Sequence, residues 1–354
     1  MFSVLSVVNF SVCRYSSCAV DKFSFGLSCY SFPFSCGFAK RDGCVCEKPM
    51  NGLDLVDLAA SYGMTSVEFP LGIIPDHTEV GMDRFGDLLR SKGMTFSLDL
   101  PVLDVAQAKR ELPLAKRAGA TVVRCMVSGF LEGARNKYVA DWNVHMRDMM
   151  AKLWAVRPLL DELGMVLAIE NHQDVTSADL VALCEAGGPR VGVTLDVVNP
   201  LAVGEEPYEF AERVGPRIKN IHIKDYTIHP TDSGYQLVRA SIGEGVIDWR
   251  RMLTYVRGVA PDALWHVELA AINARHIRLY EDQWWQGYPP RDVRDTLSLS
   301  RFVAHATHMQ AKDAPWQTPW EQQASAADCE AYERDQMERT VSYLKTELAE
   351  IIGR

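Results

Sequence analysis

The order of hydrophobic runs along the chain constrains its fold more than any other feature. From Phe23 onward, short runs rich in β-branched, aromatic or Leu residues alternate with amphipathic segments of helical length. The strand-like runs are FSFGLSCYS (23–31), TSVEFPL (65–71), MTFSLDLP (94–101), ATVVRCMVS (120–128), GMVLAIENH (164–172), RVGVTLDVV (190–198), RIKNIHIKDY (217–226) and ALWHVELA (263–270). Helices are expected between them at 52–63, near 79–92 and 104–118, and at about 138–163, 177–187, 208–215 and 248–259. Such alternation implies parallel strands joined by right-handed crossovers. Eight units predict closure into an α/β fold of the (β/α)8 TIM barrel type. No glycine-rich dinucleotide fingerprint follows the first strand, and no P-loop is present, which opposes an open nucleotide-binding sheet.

The 354 residues suit one barrel with extensions. A helix at 291–310 is expected to be the last of the barrel. The segment DAPWQTPWEQ (313–322) then breaks the pattern, and 323–352 reads as a charged amphipathic helix. The expected division is therefore a barrel over 23–310 and a C-terminal helical extension over 311–354. That last helix packs outside the barrel or against a second copy of the chain, so a homo-oligomer is compatible with the sequence. Residues 1–22 are rich in Ser, Val, Phe and Cys and carry no acid before Asp21. They lack the basic start of a signal peptide and are expected to be a disordered leader or a misassigned start.

Charge narrows the class of partner. A formal net charge of -9 opposes a phosphate-backbone binder, which needs a basic surface to displace counterions. No apolar run is long enough to span a bilayer. Six of the nine cysteines precede residue 47, without the spacing of a zinc knuckle. They are read as reduced thiols of a cytoplasmic enzyme, with an N-terminal disulfide as the lesser alternative.

The informative residues are charged groups inside apolar strands. Parallel barrel strands are buried on both faces, so an ionised side chain there is costly unless paired or bound to metal. Glu170, Asp196, His222 and Glu268 lie near the C-terminal ends of four successive strands, where barrel active sites sit. Alternate residues of a strand share a face. Glu170 and His172 therefore point one way, as do Asn220, His222 and Lys224, and as do His266 and Glu268. Three carboxylates and one imidazole suit one divalent ion, with Mn²⁺, Mg²⁺ or Co²⁺ fitting better than structural Zn²⁺. Any one of these residues alone would more often be a helix cap, a surface ion pair or a hydrogen-bonded core histidine. His266, deeper in its strand, is read in that bland way.

At this point the chain resembles the xylose-isomerase-like barrel superfamily of sugar phosphate isomerases and epimerases. The resemblance runs from about Phe25 to Tyr288 and is strongest over AIENH, TLDVVN, IKNIHIKD, IGEGVIDW (242–249) and WHVELA. It implies a metal set of Glu170, Asp196, His222 and Glu268. It also implies proton exchange with a small carbohydrate-like substrate by Glu170 and Glu268, and a substrate contact at Arg239. Where the ketose epimerases of that superfamily have a histidine, this chain has Asn199; their second glutamate is Thr176 here, and a glycine is replaced by Lys224. The expected activity is isomerisation or epimerisation through an enediolate. A lyase acting on a keto-sugar acid or 3-keto-glycoside is the alternative, with Lys224 as cation or proton donor. His172, Asn199, Arg239, Glu68 and Trp285 are candidate substrate contacts, and Asp99 is a further pocket candidate. An endonuclease IV-like DNA repair enzyme would need more metal-binding histidines and a basic face. A non-catalytic sugar-binding barrel would be expected to have lost a ligand.

Overall fold

Period-two alternation sorts each barrel strand into an apolar face turned to the helices and a second face turned to the lumen. The computed structural model describes residues 25–138 and 141–352, so the expectation for residues 1–22 lies outside the described residues. The strands are β1 (Gly26–Ser28), β2 (Ser66–Phe69), β3 (Thr95–Val102), β4 (Val122–Met126), β5 (Val166–Glu170), β6 (Val191–Asp196), β7 (Ile218–Ile223), β8 (Asp225–Thr231), β9 (Gly234–Ala240), β10 (Leu264–Val267) and β11 (Arg275–Ile277). Strands β1 to β7 and β10 close into an eight-stranded barrel, every neighbouring pair parallel.

The helices are α1 (Gly52–Ser61), α2 (Glu79–Ser91), α3 (Val105–Arg117), α4 (Trp142–Leu163), α5 (Ser177–Gly187), α6 (Pro207–Val214), α7 (Trp249–Val259), α8 (Asp282–Trp285), α9 (Val293–Met309), α10 (Ala326–Thr346) and α11 (Ala349–Ile352). Local chemistry sets several of their ends. Asn51 and Asp54 form a capping box on α1, and Thr176 and Asp179 form one on α5. Thr176 is thus a helix cap. Gly164, at φ 62°, stops α4 in the left-handed conformation that glycine adopts freely.

Two expectations need correction. The strand expected over 217–226 is shorter than that. Strand β7 ends at Ile223, and the next residues form an antiparallel β8–β9 hairpin that β11 joins as a third strand. Its turn residues, Asp232-Ser233, precede Gly234 between two alternating runs, a hairpin signal present in the sequence. Asp225 anchors the return. It accepts from the backbone N–H of Val246 (2.8 Å) and from the Trp249 indole (2.9 Å). A side chain at Gly245 would run into that carboxylate.

The second correction concerns the last barrel helix. Helix α9 forms where it is expected, but it lies against α6 and the hairpin: Arg213 pairs with Asp295 at 2.8 Å, and the Gln310 side chain bonds both backbone groups of Ile228. Helix α10 takes the flank between α1 and α7. Glu330, Arg334 and Glu338 face Leu58 and Tyr62 of α1 across a groove, and Arg250 of α7 donates to the Glu347 carbonyl at 2.8 Å. Buried Glu333 ties α10 to the loop after β1, accepting from the N–H of Phe34 (2.7 Å) and of Ser35 (2.9 Å).

The outward face of the barrel strands is conventional: Leu27, Val67, Leu98, Val123, Ile221 and Val267 are fully buried against helices. The lumen is not. Ser66, Glu68, Asp99, Arg124, Asn220 and His266 fill it, all buried. Barrel interiors are usually packed with branched apolar side chains. Here Gly26 has no room for a Cβ, which would lie 2.0 Å from the Ser66 hydroxyl and 2.7 Å from the His266 ring.

Replacing Glu333 with Ala strands two buried N–H donors, so it is expected to destabilise the protein by about 2–4 kcal/mol. Chemical denaturation followed by circular dichroism reads this as a lowered midpoint at unchanged slope. An unaltered midpoint would mean that α10 does not depend on this tie.

Candidate metal centre

Four neighbouring strands deliver the site. Glu170 ends β5, Asp196 ends β6, His222 is the penultimate residue of β7, and Glu268 directly follows β10. The barrel order places these strands side by side. One ligand atom from each of the four residues lies within 4.8 Å of all the others, and all four residues are buried.

Among the described residues, each of the four is half partnered. Glu170 gives Oε2 to the Arg124 guanidinium, and its Oε1 has no hydrogen-bond partner. Asp196 gives Oδ2 to Lys224 Nζ (2.8 Å) and to the Asn199 amide (2.7 Å), leaving Oδ1 free. Glu268 gives Oε1 to Lys224 Nζ at 3.4 Å, leaving Oε2. His222 gives Nε2 to Glu68 Oε1 at 2.7 Å, leaving Nδ1. Nδ1 of His222 and Oε2 of Glu268 press close without the alignment of a hydrogen bond. Buried polar atoms without partners are rare, because each loses the hydration it had in the unfolded chain. Four of them facing one another, three oxygens and a nitrogen, match the donor set of a divalent cation.

The groups behind the ligands fix their aim. Glu68 takes the N–H on Nε2, so that a cation displacing the proton from Nδ1 would find its lone pair there, the usual way a carboxylate orients a metal-binding histidine. Asn220 supports Glu68 through its amide at 2.7 Å, and its side chain also bonds its lumen neighbours Thr194 and His266. His266 also bonds the Ser66 hydroxyl at 3.1 Å, as a satisfied core histidine would. Arg124 bridges Glu170 and Asp99. Asn171 exchanges two bonds with the backbone of Asp196, 2.7 and 2.8 Å, and so splices the ends of β5 and β6.

Electrostatics points the same way. Burial opposes charge on Glu170, yet Arg124 and His222 hold its carboxyl well below the usual range. Burial likewise opposes Glu68, but the His222 and His266 imidazoles beside it draw it down to about 2. Asp196 is pushed up to about 7 by burial, against the pull of Lys224 and with the push of Glu268 and Glu170. A carboxylate so short of compensating charge is one that a cation would relieve.

A cavity of about 200 Å³ opens onto the cluster, lined by Tyr30, Arg124, His172, Lys224, Tyr226 and Glu268, among others. Its rim includes Ala270 and Ala271, at φ 29° and 55°, a costly backbone for residues with a Cβ and one that persists where surrounding structure enforces it. Burial pushes His172 down to about 4 despite Glu170 nearby, so it faces the cavity as a neutral imidazole. Two larger grooves, of about 540 and 800 Å³, run along α10, away from the cluster.

Of the expected substrate contacts, His172 lines this cavity, as does Lys224, expected to be catalytic. Glu68 and Asn199 do not; they bond His222 and Asp196. Arg239 is also elsewhere, because its guanidinium is occupied by the Ser31 carbonyl (2.8 Å) and by Gln336 of α10. Trp285 donates to the Leu279 carbonyl and packs edge-on against Trp284 and Tyr288. The sequence reasoning missed Arg124, Tyr226 and Arg275. Arg124 had a signal: it is a charge inside the apolar run VVRCM. Arg275 lies on β11, outside any barrel strand, and had none.

Comparison with known proteins places the barrel among others. A family model described as Xylose isomerase-like TIM barrel matches residues 56–268. The uncharacterized protein YihM of Escherichia coli is 23% identical over 216 residues, 57% of this chain and 61% of that protein. The 3-oxo-isoapionate decarboxylase of Pectobacterium atrosepticum is 25% identical over 199 residues, 55% of this chain and 64% of that enzyme. The matched region thus spans less than two thirds of either relative. Among solved structures, a xylose isomerase-like TIM barrel protein of Mycobacterium smegmatis in complex with magnesium has a TM-score of 0.53 at 16% identity, covering 82% of this chain and 98% of its own. An L-ribulose 3-epimerase has a TM-score of 0.50 at 14% identity, covering 82% and 99%. These two likenesses concern the fold.

Glu68 lies behind the four donors and orients His222. Glu68→Gln should therefore weaken Mn²⁺ binding about 10–100-fold while leaving the far-ultraviolet circular dichroism unchanged. Calorimetric titration with Mn²⁺ measures this, and an unchanged affinity would remove Glu68 from the site.

Proposed function

This chain belongs to the xylose isomerase-like TIM barrel family, and from that premise we propose that it is a divalent-metal-dependent enzyme acting on a sugar-like hydroxy-carbonyl substrate. The observation that carries the reading is the set of four unpartnered atoms on Glu170, Asp196, His222 and Glu268, facing one another at the mouth of the barrel. A divalent ion held there would polarise a substrate carbonyl and an adjacent hydroxyl and so favour the enediolate.

Within that chemistry we favour a lyase over an epimerase. Epimerisation takes a proton from one face of a carbon and returns it to the other, which needs two proton-carrying groups across the substrate. Glu170 is pinned by Arg124 and is absent from the cavity wall, whereas Glu268 lies on it. That wall also carries the neutral His172 imidazole and Lys224, whose ammonium lies 3.4 Å from Glu268 and therefore on the same side. Glu268 and Lys224 together suit either of two eliminations: loss of CO2 from the carbon next to the carbonyl, whose electron pair passes into the carbonyl before Lys224 returns one proton to that carbon, or loss of water, in which Glu268 takes the proton from the carbon next to the carbonyl and Lys224 gives one to the departing hydroxyl on the following carbon. Asp196 and Glu268 hold the Lys224 ammonium charged, its pKa well above the ordinary value although burial works against it. Lys224 is thus a proton donor and a counter-charge, not a base. The decarboxylase relative supports the same branch.

Glu170→Gln, Asp196→Asn and His222→Ala should each abolish tight Mn²⁺ binding with the fold retained, and chelation of the wild type should remove activity that Mn²⁺ restores. Lys224→Met should keep Mn²⁺ binding but lower turnover about 10²–10⁴-fold. The assay is a nuclear magnetic resonance screen in D₂O of ketoses, keto-sugar acids and 3-keto-glycosides with added Mn²⁺. Turnover by the metal-stripped protein would sink the metal mechanism. Normal turnover by the Lys224 variant would sink the lyase branch.

A further inference from the structure

The wall of the cavity beside the metal cluster carries three cationic side chains, and their partners differ. Arg124 is bound by Asp99 and Glu170. Lys224 is bound by Asp196 and Glu268. Arg275, on β11, is half-buried and makes no ion pair among the described residues, and its Nε is buried with no hydrogen-bond partner. Tyr226, which shares this wall, is fully buried, and its hydroxyl also has no partner. The backbone that carries each of them is fixed. Arg275 opens β11, in register with Leu237 of β9, and Tyr226 sits in β8 opposite Arg239.

A buried hydroxyl and a buried guanidinium N–H that find no partner in the protein are donors kept for something else. A guanidinium offers its donors in a planar fork that matches a carboxylate, and a phenol adds a single donor beside it. The other two cations on this wall, Arg124 and Lys224, already face carboxylates. A neutral polyol would satisfy the hydroxyl but leave Arg275 without a counter-charge.

The geometry points to an anion subsite formed by Arg275 and Tyr226, which takes a carboxylate of the substrate while the hydroxy-carbonyl end lies at the metal cluster. The substrate is therefore a sugar acid rather than a neutral sugar. This rests on the metal-dependent sugar chemistry proposed above, and it names the part of the substrate that the metal ligands do not touch.

The test compares D-gluconate with D-glucitol, which differ at one end by carboxylate against hydroxymethyl, on the full-length protein by calorimetric titration. With Mn²⁺ bound, the wild type should prefer gluconate, and Arg275→Gln should reduce that preference about tenfold or more without changing Mn²⁺ affinity. Tyr226→Phe should reduce it about threefold, and Arg275→Lys should retain part of it. Gluconate can also meet the metal, so the preference that matters is the part lost with Arg275. A preference that survives Arg275→Gln overturns the subsite. A stronger, Arg275-dependent preference for D-glucitol 6-phosphate over gluconate overturns the carboxylate assignment. If the wild type binds no Mn²⁺, the metal centre is wrong; the same comparison on the metal-free protein still decides the subsite.

Discussion

Like charges held close together in a dry interior set the terms for the rest of this molecule. Three carboxylates within 4.8 Å repel strongly where water cannot screen them. The protein answers with two fixed cations, Arg124 and Lys224, each of which takes one oxygen of a carboxylate and leaves the other turned inward. That is compensation for folding without surrender of the binding atoms. It also explains the polar lumen. Glu68, Asn220, His266 and Ser66 form a chain that runs down the barrel axis from His222, so the space that other barrels fill with Leu and Val is used to orient one imidazole.

The outer elements serve the mouth of the barrel. The β8–β9 hairpin leaves directly after Lys224, and with β11 it raises a wall that carries Tyr226 and Arg275. Asp225 locks the base of that wall to the start of α7. Helix α10 braces it from outside through Gln336 and Arg239, whose guanidinium also grips the loop after β1 at Ser31. Arg239 therefore stabilises the rim by tying three segments together. An arginine in this neighbourhood of the sequence was expected to meet substrate, but α10 has claimed it.

Much of the centre was legible beforehand. Charged residues in apolar strands stand out because burial makes them costly, and strand parity tells which of them share a face. Those two rules locate Glu170, Asp196, His222, Glu268 and Lys224. The same rules apply to Arg124, which lies in a strand no less apolar, and the sign of its charge is all that set it apart. Glu68 was visible as a strand-end acid, but its contact with His222 spans 154 positions across the lumen, a separation that no periodicity encodes. Helix α10 was visible as an amphipathic segment. Its apolar face shows that it docks and leaves open whether it docks on the barrel or on another chain.

The chain's own pattern determined the barrel, the end of it that carries the chemistry, and the kinds of donor found there, because alternation and burial cost act within a single strand. Tertiary structure alone decided which atom of each ligand stays unpartnered, which arginine is spent on packing and which is left over, and what lines the cavity. Those outcomes depend on contacts between loops and strands far apart in the chain. Beyond the last residue of a strand no repeating geometry remains to be read.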